Sequence, residues 1–484
     1  MVRSETPFCL TDAHNRLFCA LSHDRNPLHS DPDYARRTPF GQTISYGMAA
    51  VLLALARSAT GRRIHIHSIR GQFLRPIFPG LDYRLEIAGD DLQTTLRVTK
   101  GSTTHLDARI HWHALDLPRS HAREAPRFMP RGEASATSPS EAPLTIPEFA
   151  YAPAPEAFPE LQALFHLAPE QIPCEQLAAL CWASYFVGME QPGRQALFSE
   201  FEFEFTPEPS AIPHLLMEID ARYDPRFRRL LLTGRGTTIR RFSLVAFHRP
   251  EPMDYSDEAL RAEFGMDRNL SGQRTLVTGT ARGFGSVVAR ALALRGAAVL
   301  QHRRRSGDHN TSVVGELSRD EDCQRIAAQV ATEVGQLDLL IHNAFPHVNA
   351  QKFLDQSPAE FLGYVQRAID PTARLTHHLL PLMAPGSTVV LVSSHYVCQP
   401  PPQFTHYITT KAALEGMVHS LAAEFPAVRF VIARLPRMLT DQTQAIYELR
   451  PPISPTTIAQ RLLSGLATLP SGNFHELNLF LPTD

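Results

Sequence analysis

Cysteine is scarce in this sequence. Six occur in 484 residues, scattered singly, with no Cys-x-x-Cys. That excludes a disulfide framework and a thiolate zinc cage, and it fits a reducing compartment. Net charge is also missing: 47 Lys and Arg against 49 Asp and Glu leave −2, too little to draw nucleic acid or an anionic membrane. No run reaches the roughly 20 apolar residues of a membrane span. The first residues, "MVRSETPFCLTDAHNRLFCA", lack the apolar core of a signal peptide. A cytoplasmic protein with no nucleic-acid and no membrane partner is expected. Two histidine pairs, His65 with His67 and His111 with His113, each share a strand face. No cysteine or carboxylate cluster completes a ligand set, so no metal is expected.

The length is too great for one ordinary core and predicts several domains. "FGQTISYGMAAVLLALAR" (40–57) predicts a buried helix, with Ile44, Met48, Val51, Leu52 and Leu55 at helical spacing. Four strand-like segments follow between 63 and 115. One apolar helix and several antiparallel strands make an α+β unit with the sheet wrapped on the helix, assigned to 1–115. Residues 116–150 are rich in Pro, Ser and Ala, with Arg119, Arg123, Arg127 and Arg131 spaced along them. They read as a linker or an ordered strap, the arginines solvated. The pattern then repeats over 151–250. "CEQLAALCWASYFVGMEQPG" is a second apolar helix with four strands after it. In one of these strands Glu200, Glu202 and Glu204 alternate with Phe201, Phe203 and Phe205, residues of ordinary core or of a tunnel wall. This is an internal duplication of fold. After a linker at 251–269 the grammar changes. Short Val/Leu/Ile runs such as "RTLVTG", "LDLLIHNA" and "STVVLVSS" alternate with helical stretches. Residues 270–484 are therefore a doubly wound parallel α/β sheet.

Its first strand ends in "VTGTARGFGSVVARAL". Gly279, Gly283 and Gly285 stand where a backbone could approach a pyrophosphate at a helix N-terminus. Farther on, "STVVLVSSH" ends with Ser394 near a strand terminus, and "YITTK" places Tyr407 and Lys411 one turn apart. A neighbouring ammonium would bring a phenol from its free pKa of ~10 toward neutrality. The serine could then polarise a carbonyl while Tyr407 passes a proton. These residues resemble the short-chain dehydrogenase/reductase family: "TGTARGFG" its TGxxxGxG, "HNAF" its NNAG, and Ser394, Tyr407 and Lys411 its triad. The resemblance implies a Rossmann-type fold, with Tyr407 as general acid/base and Ser394 on the substrate oxygen. It implies that Lys411 holds the nicotinamide ribose and tunes Tyr407, and that Asn343 helps hold the cofactor. Three positions depart from the pattern. Ala368 stands near the family's catalytic Asn, Phe345 replaces the last Gly of NNAG, and Arg437 follows Pro436. The first leaves open an impaired reductase, or one in which a water or Asp370 substitutes. The second strand ends in "LQHRRRSGD", with no acid before Arg303, Arg304 and Arg305, and Arg282 lies in the glycine turn. Arginine forks suit a 2′-phosphate, so the expected cofactor is NADP(H), used for reduction.

The stretch "HDRNPLHSD" (23–31) crowds acid, amide and imidazole around one proline. On the residues alone, Asp24 or Asn26 forms an Asx turn, and Asp31 caps a helix that begins at Pro32. Within "ALSHDRNPLHSDPDYARRTPFGQTISYGM" (20–48) the segment resembles the motif of MaoC-like dehydratases and (R)-specific enoyl-CoA hydratases. Asp24, Asn26, Pro27 and His29 have the family spacing, Asp33, Tyr34 and Ala35 follow, and Gly47 opens the helix. The resemblance implies a hotdog fold, paired with the second copy as a double hotdog. It implies an Asp24/His29 acid–base dyad positioned by Asn26, and an oxyanion donor in the N–H of Gly47. Tyr46 stands where the family often has His. Losing water from a 3-hydroxyacyl thioester needs a base, an acid and a group to receive enolate charge, which this set supplies.

The two chemistries are consecutive. Together they predict a bifunctional 3-oxoacyl-thioester reductase and 3-hydroxyacyl-thioester dehydratase of fatty-acid or polyketide type, yielding a trans-2-enoyl thioester on acyl carrier protein or coenzyme A. One alternative is the oxidative direction, a hydratase joined to a 3-hydroxyacyl dehydrogenase. Another is an acyl-carrier-binding scaffold with one catalytically dead domain. Both resemblances imply a homodimer or homotetramer.

Overall fold

The computed structural model describes residues 2–59, 62–90, 92–115, 128–168, 171–207, 215–251, 253–265, 269–305, 312–444 and 452–480. Arg119, Arg123 and Arg127 lie outside the described residues. The chain divides into two compact units, Met1–Glu251 and most of Pro252–Asp484. No described helix is long and apolar enough to cross a membrane.

The first unit is one antiparallel ten-stranded sheet. Its strands are β1 (Val2–Phe8), β2 (Ile64–Phe73), β3 (Tyr83–Gly89), β4 (Gln93–Lys100), β5 (Thr103–Ala114), β6 (Leu144–Tyr151), β7 (Ala196–Phe205), β8 (Leu215–Asp224), β9 (Arg229–Gly236) and β10 (Ile239–His248). The spatial order is β1-β3-β4-β5-β2-β7-β10-β9-β8-β6. It reads as two five-strand halves in mirrored order, joined where Ile69 of β2 pairs with Phe203 of β7. The helices are α1 (Asp12–Ser22), α2 (Pro27–Ser30), α3 (Pro32–Arg36), α4 (Gly47–Ala59), α5 (Phe158–Phe165) and α6 (Cys174–Tyr185). In α4 and α6 nearly every side chain is buried, as expected of helices apolar all round. The two halves thus repeat one strand order.

Alternation sets the faces of β7. Phe201, Phe203 and Phe205 are buried in the common core, whereas Glu202 and Glu204 pair with Arg241 at 3.5 and 2.8 Å. Several expectations need correction. The first long helix begins at Gly47, not at residue 40. Residues 144–150 are not connection but edge strand β6, paired with β8. Their Leu144, Ile146 and Phe149, with a register shift between the last two, fit a strand once a partner edge is present. The described part of the connection, from Phe128 on, behaves as an ordered strap. The Phe128 ring packs edge-on to Tyr151 and Tyr185 at 5.1 and 5.3 Å, and the Arg131 N–H donates to the Tyr185 hydroxyl at 3.0 Å. Arg131 itself pairs with Glu190.

The second unit is a seven-stranded, wholly parallel sheet. Its strands are β11 (Arg274–Val277), β12 (Ala298–Arg303), β13 (Ser312–Val314), β14 (Leu337–His342), β15 (Met383–Ser394), β16 (Arg429–Leu435) and β17 (Phe474–Asn478), in the order β13-β12-β11-β14-β15-β16-β17. Successive residues serve opposite cores: Leu340 and Val389 face one, Ile341 and Val390 the other. Burial on both faces explains the unbroken Val/Leu/Ile runs. The helices are α7 (Asp257–Phe264), α8 (Gly283–Leu294), α9 (Asp320–Glu333), α10 (Pro358–Leu379), α11 (Thr405–Glu424) and α12 (Pro455–Ala467). Helix α7 falls where a linker was expected. Ser256 caps it by accepting the Ala259 N–H, and its Leu260 and Phe264 are buried in one of the cores. The order reverses between β11 and β14. An open α/β sheet takes its ligand at the carboxyl ends of the strands flanking such a switch point.

Candidate active sites

In the first unit, α1 ends with His23 in the left-handed region, at φ 60°. The turn drops Asp24 into the interior, where it is 1% exposed. One carboxylate oxygen accepts the Asn26 N–H at 3.1 Å, and the other accepts the Ser184 hydroxyl at 2.7 Å. The carboxylate lies against Gly188, where a Cβ would stand 2.5 Å from Oδ1. Ser184 lies in the last turn of α6, and Gly188 in the π turn that continues it over Phe186–Glu190. Asn26 caps α2 through the Leu28 N–H at 3.0 Å, and its amide donates to the Gly188 and Gly193 carbonyls at 2.9 and 3.0 Å. Asn26 therefore ties the motif to the second half of the sheet. Asp31 caps α3, accepting the Asp33 and Tyr34 N–H groups.

His29 is half-buried, and its Nδ1 lies 2.9 Å from the Ile44 carbonyl. A carbonyl only accepts, so the proton sits on Nδ1 and Nε2 keeps a lone pair. The Tyr46 ring packs on the imidazole at 3.9 Å, and its hydroxyl donates to the Asp24 carbonyl at 2.6 Å. Tyr46 thus links the two motif residues. Among the described residues no hydrogen bond or ion pair joins the Asp24 carboxylate to the His29 ring. Gly47 opens α4, and a Cβ there would meet the Phe73 ring at 2.7 Å. Burial lifts the Asp24 carboxyl to about 7, against the opposing bonds from Ser184 and Asn26, and lowers His29 to about 4. His29 is thereby held neutral near pH 7, and Asp24 is close to half protonated there. Ser184, Gly188 and Gly193 went unnoticed in the sequence because no local motif surrounds them. The histidine pairs lie apart from this site: His113 meets His67 at 2.9 Å, and no described His, Cys, Asp or Glu cluster could hold a metal.

In the second unit the glycine turn is built as its sequence requires. Gly279 has φ +70°, and a Cβ there would come within 2.9 Å of the Ala344 backbone. A Cβ on Gly285 would collide with the Asn343 amide at 2.3 Å. Gly283 begins α8, with Arg282 just before it in an extended conformation. The Asn343 side chain donates to the Thr278 and Gly279 carbonyls at 3.0 and 3.2 Å, so it braces the turn. His302, one residue before the arginine run, was not anticipated. Its Nδ1 accepts the Gly279 N–H at 3.3 Å, and its Nε2 lies 3.0 Å from the Gly315 carbonyl. Burial keeps this imidazole neutral, as both contacts require. Arg303 is half-buried, and its Nε has no partner among the described residues. Arg304 is exposed, 3.6 Å from Glu316, and Arg305 is exposed beside it.

Ser394 ends β15 and accepts the Tyr396 N–H at 3.2 Å. Its hydroxyl also bonds to Tyr407, the third residue of α11. Lys411, one turn on, donates to the Val392 carbonyl at 2.7 Å and stands 3.8 Å above the Phe345 ring centre. Ser394, Tyr407 and Lys411 are therefore together. The expected lowering of the tyrosine is not found. Burial pushes Tyr407 up to about 12, and the Ser394 bond offsets only part of this. The Lys411 ammonium is engaged with a carbonyl and a ring, and burial lowers it to about 7. Phe345 also packs edge-on to Tyr407 at 5.5 Å. Ala368 is buried on α10, and Asp370 pairs with Arg374 at 3.6 Å.

Residues 1–107 match the family model of the MaoC like domain, and residues 273–450 match that of the short chain dehydrogenase. The chain joins a MaoC-like domain to a short-chain dehydrogenase domain. Among curated relatives, Tropinone reductase-like 3 of Erythroxylum coca is 27% identical over 176 residues, covering 34% of this chain and 68% of the relative. Glucose 1-dehydrogenase of Gluconobacter oxydans is 26% identical, covering 32% and 65%. Human dehydrogenase/reductase SDR family member 4 is 29% identical, covering 34% and 65%. The chain thus spans about two thirds of the length of these relatives. Two solved structures are similar. A Shigella flexneri short-chain dehydrogenase complexed with NADP is 23% identical, with TM-score 0.39, covering 43% of this chain and 97% of its own. The Escherichia coli oxidoreductase yciK is 24% identical, with TM-score 0.39, covering 43% and 96%.

Proposed function

We propose that this chain reduces a 3-oxoacyl thioester with NADPH and then dehydrates the 3-hydroxyacyl product to a trans-2-enoyl thioester. The reading is carried by the pairing itself: one chain holds a MaoC-like and a short-chain dehydrogenase domain, whose chemistries share the 3-hydroxyacyl species. The mirrored ten-stranded sheet supports a double hotdog, its first half holding the dyad and its second half bracing it.

In the reductase unit, Arg303, Arg304 and Arg282 would hold the 2′-phosphate of NADPH, the glycine turn its pyrophosphate, and Lys411 its ribose. A buried, unpartnered Nε on Arg303 fits such an anion. When bound, NADPH supplies the hydride. Ser394 positions the ketone oxygen, and Tyr407, held protonated by burial, gives it a proton. In the dehydratase unit the separated pKa values assign the roles. The free Nε2 of neutral His29 takes the α-proton. The protonated fraction of Asp24 gives its proton to the departing hydroxyl, and the N–H of Gly47 receives the thioester oxygen's developing charge.

A second reading is favoured by one observation, the engagement of Lys411 by Val392 and Phe345. There the reductase unit is a catalytically dead scaffold. Spectrophotometry separates the two: NADPH oxidation driven by a 3-oxoacyl thioester supports the enzyme, and no oxidation with either nicotinamide cofactor supports the scaffold. Hydration of an added enoyl thioester tests the first unit independently.

A further inference from the structure

Tyr364 lies on α10, one turn before Ala368. Its hydroxyl is buried and has no hydrogen-bond partner among the described residues. Native structures rarely leave such a group unsatisfied, and where they do a role or an external partner is called for. Its surroundings connect it to the helix that carries Tyr407. Its ring stands edge-on to His406 at 4.6 Å, and His406 directly precedes Tyr407 on α11. His406 is fixed in turn by Gln356 at 3.2 Å. Tyr407 lies close enough for its charge to oppose ionisation of Tyr364, yet no hydrogen bond joins the two hydroxyls.

The Tyr364 hydroxyl is therefore open to a polar atom from outside the chain. A ketone alone brings one oxygen, which Ser394 and Tyr407 would hold. A 3-oxoacyl thioester brings a second oxygen, separated from the first by one carbon between two carbonyls. We propose that the Tyr364 hydroxyl donates to that second, thioester carbonyl, and so selects 1,3-dicarbonyl substrates over isolated ketones. The inference rests on the reductase reading above. Because the group has no internal partner, removing it should leave the fold intact.

The test compares wild type with Tyr364→Phe, using NADPH with acetoacetyl-coenzyme A and with cyclohexanone. The expected result is a KM for acetoacetyl-coenzyme A raised about tenfold, the worth of one ordinary hydrogen bond, with kcat little changed. Efficiency with cyclohexanone should stay within about twofold, and Tm should not fall. Equal losses on both substrates, no loss on either, or a lowered Tm would overturn the assignment while leaving the reductase reading intact. A wild type that oxidises no NADPH with acetoacetyl-coenzyme A overturns both.

Discussion

The two sites shift their catalytic groups toward the neutral form by the same force but are built differently. At both, burial moves an acid up and a base down: Asp24 to about 7 and His29 to about 4, Tyr407 to about 12 and Lys411 to about 7. At the first site the protein itself satisfies the Asp24 carboxylate and the Asn26 amide. Helix α6 lends Ser184 to the carboxylate, and the turns that follow it lend the Gly188 and Gly193 carbonyls to Asn26. At the second, Arg303 Nε and the Tyr364 hydroxyl have no partner among the described residues. A site satisfied from within depends on a neighbouring structural element; a site with open valences depends on ligands. The comparison teaches that damage to the first should reveal itself in stability and pH dependence, and damage to the second in binding constants.

The sharpest break is removal of each proton-transfer group. Asp24→Asn should abolish enoyl hydration, and Tyr407→Phe should abolish ketone reduction, each by roughly 10²–10⁴-fold in kcat, with the other activity retained. The two losses should differ in their stability signature. Because Asp24 is raised in the fold, its protonated form is favoured there. Its contribution is fully present below pH ~4 and is lost as pH rises from there to about 7. Asp24→Asn removes that loss, so at pH 8 the first unit should gain on the order of 2–4 kcal/mol, and at pH 4 almost nothing. His29, lowered in the fold, contributes in the opposite sense, favouring the fold above pH ~6.5 and losing that as pH falls toward about 4. The difference between wild type and Asp24→Asn in urea melts at the two pH values isolates the carboxyl.

A smaller effect is expected at the open valence of the second site. Arg303→Ala should raise KM for NADPH by about 10–100-fold and leave KM for NADH nearly unchanged, since charge-assisted phosphate contacts contribute about 1.5–3 kcal/mol. Equal losses with both cofactors would remove the arginine from phosphate recognition. The smallest effect is expected from Ser184→Ala. The lost bond should raise the Asp24 pKa further, moving the corresponding limb of the hydration pH profile upward by roughly half to one unit. An unshifted limb with a lowered Tm would make Ser184 structural only.

Much of this was legible locally. The glycine turn, Ser394, the Tyr407–Lys411 spacing and the 23–31 motif are short patterns whose geometry follows from chain-neighbour physics, and α4 and α6 announce themselves as continuous apolar runs. What was hidden depends on distant partners. Residues 144–150 look like a proline-rich connection until β8 offers an edge, and α7 looks like a linker until the core beneath Leu260 is known. Ser184 looks like any helical serine until the mirrored sheet sets α6 against Asp24. The tyrosine's raised pKa was missed because spacing shows the nearby lysine but not the burial that outweighs it.

The most direct test of consecutive chemistry is an end-point mass measurement on a 3-oxoacyl thioester incubated with NADPH, using wild type, Asp24→Asn and Tyr407→Phe. The account predicts an enoyl product from wild type, a stalled 3-hydroxyacyl thioester from Asp24→Asn, and untouched substrate from Tyr407→Phe. Untouched substrate in all three reactions would contradict it.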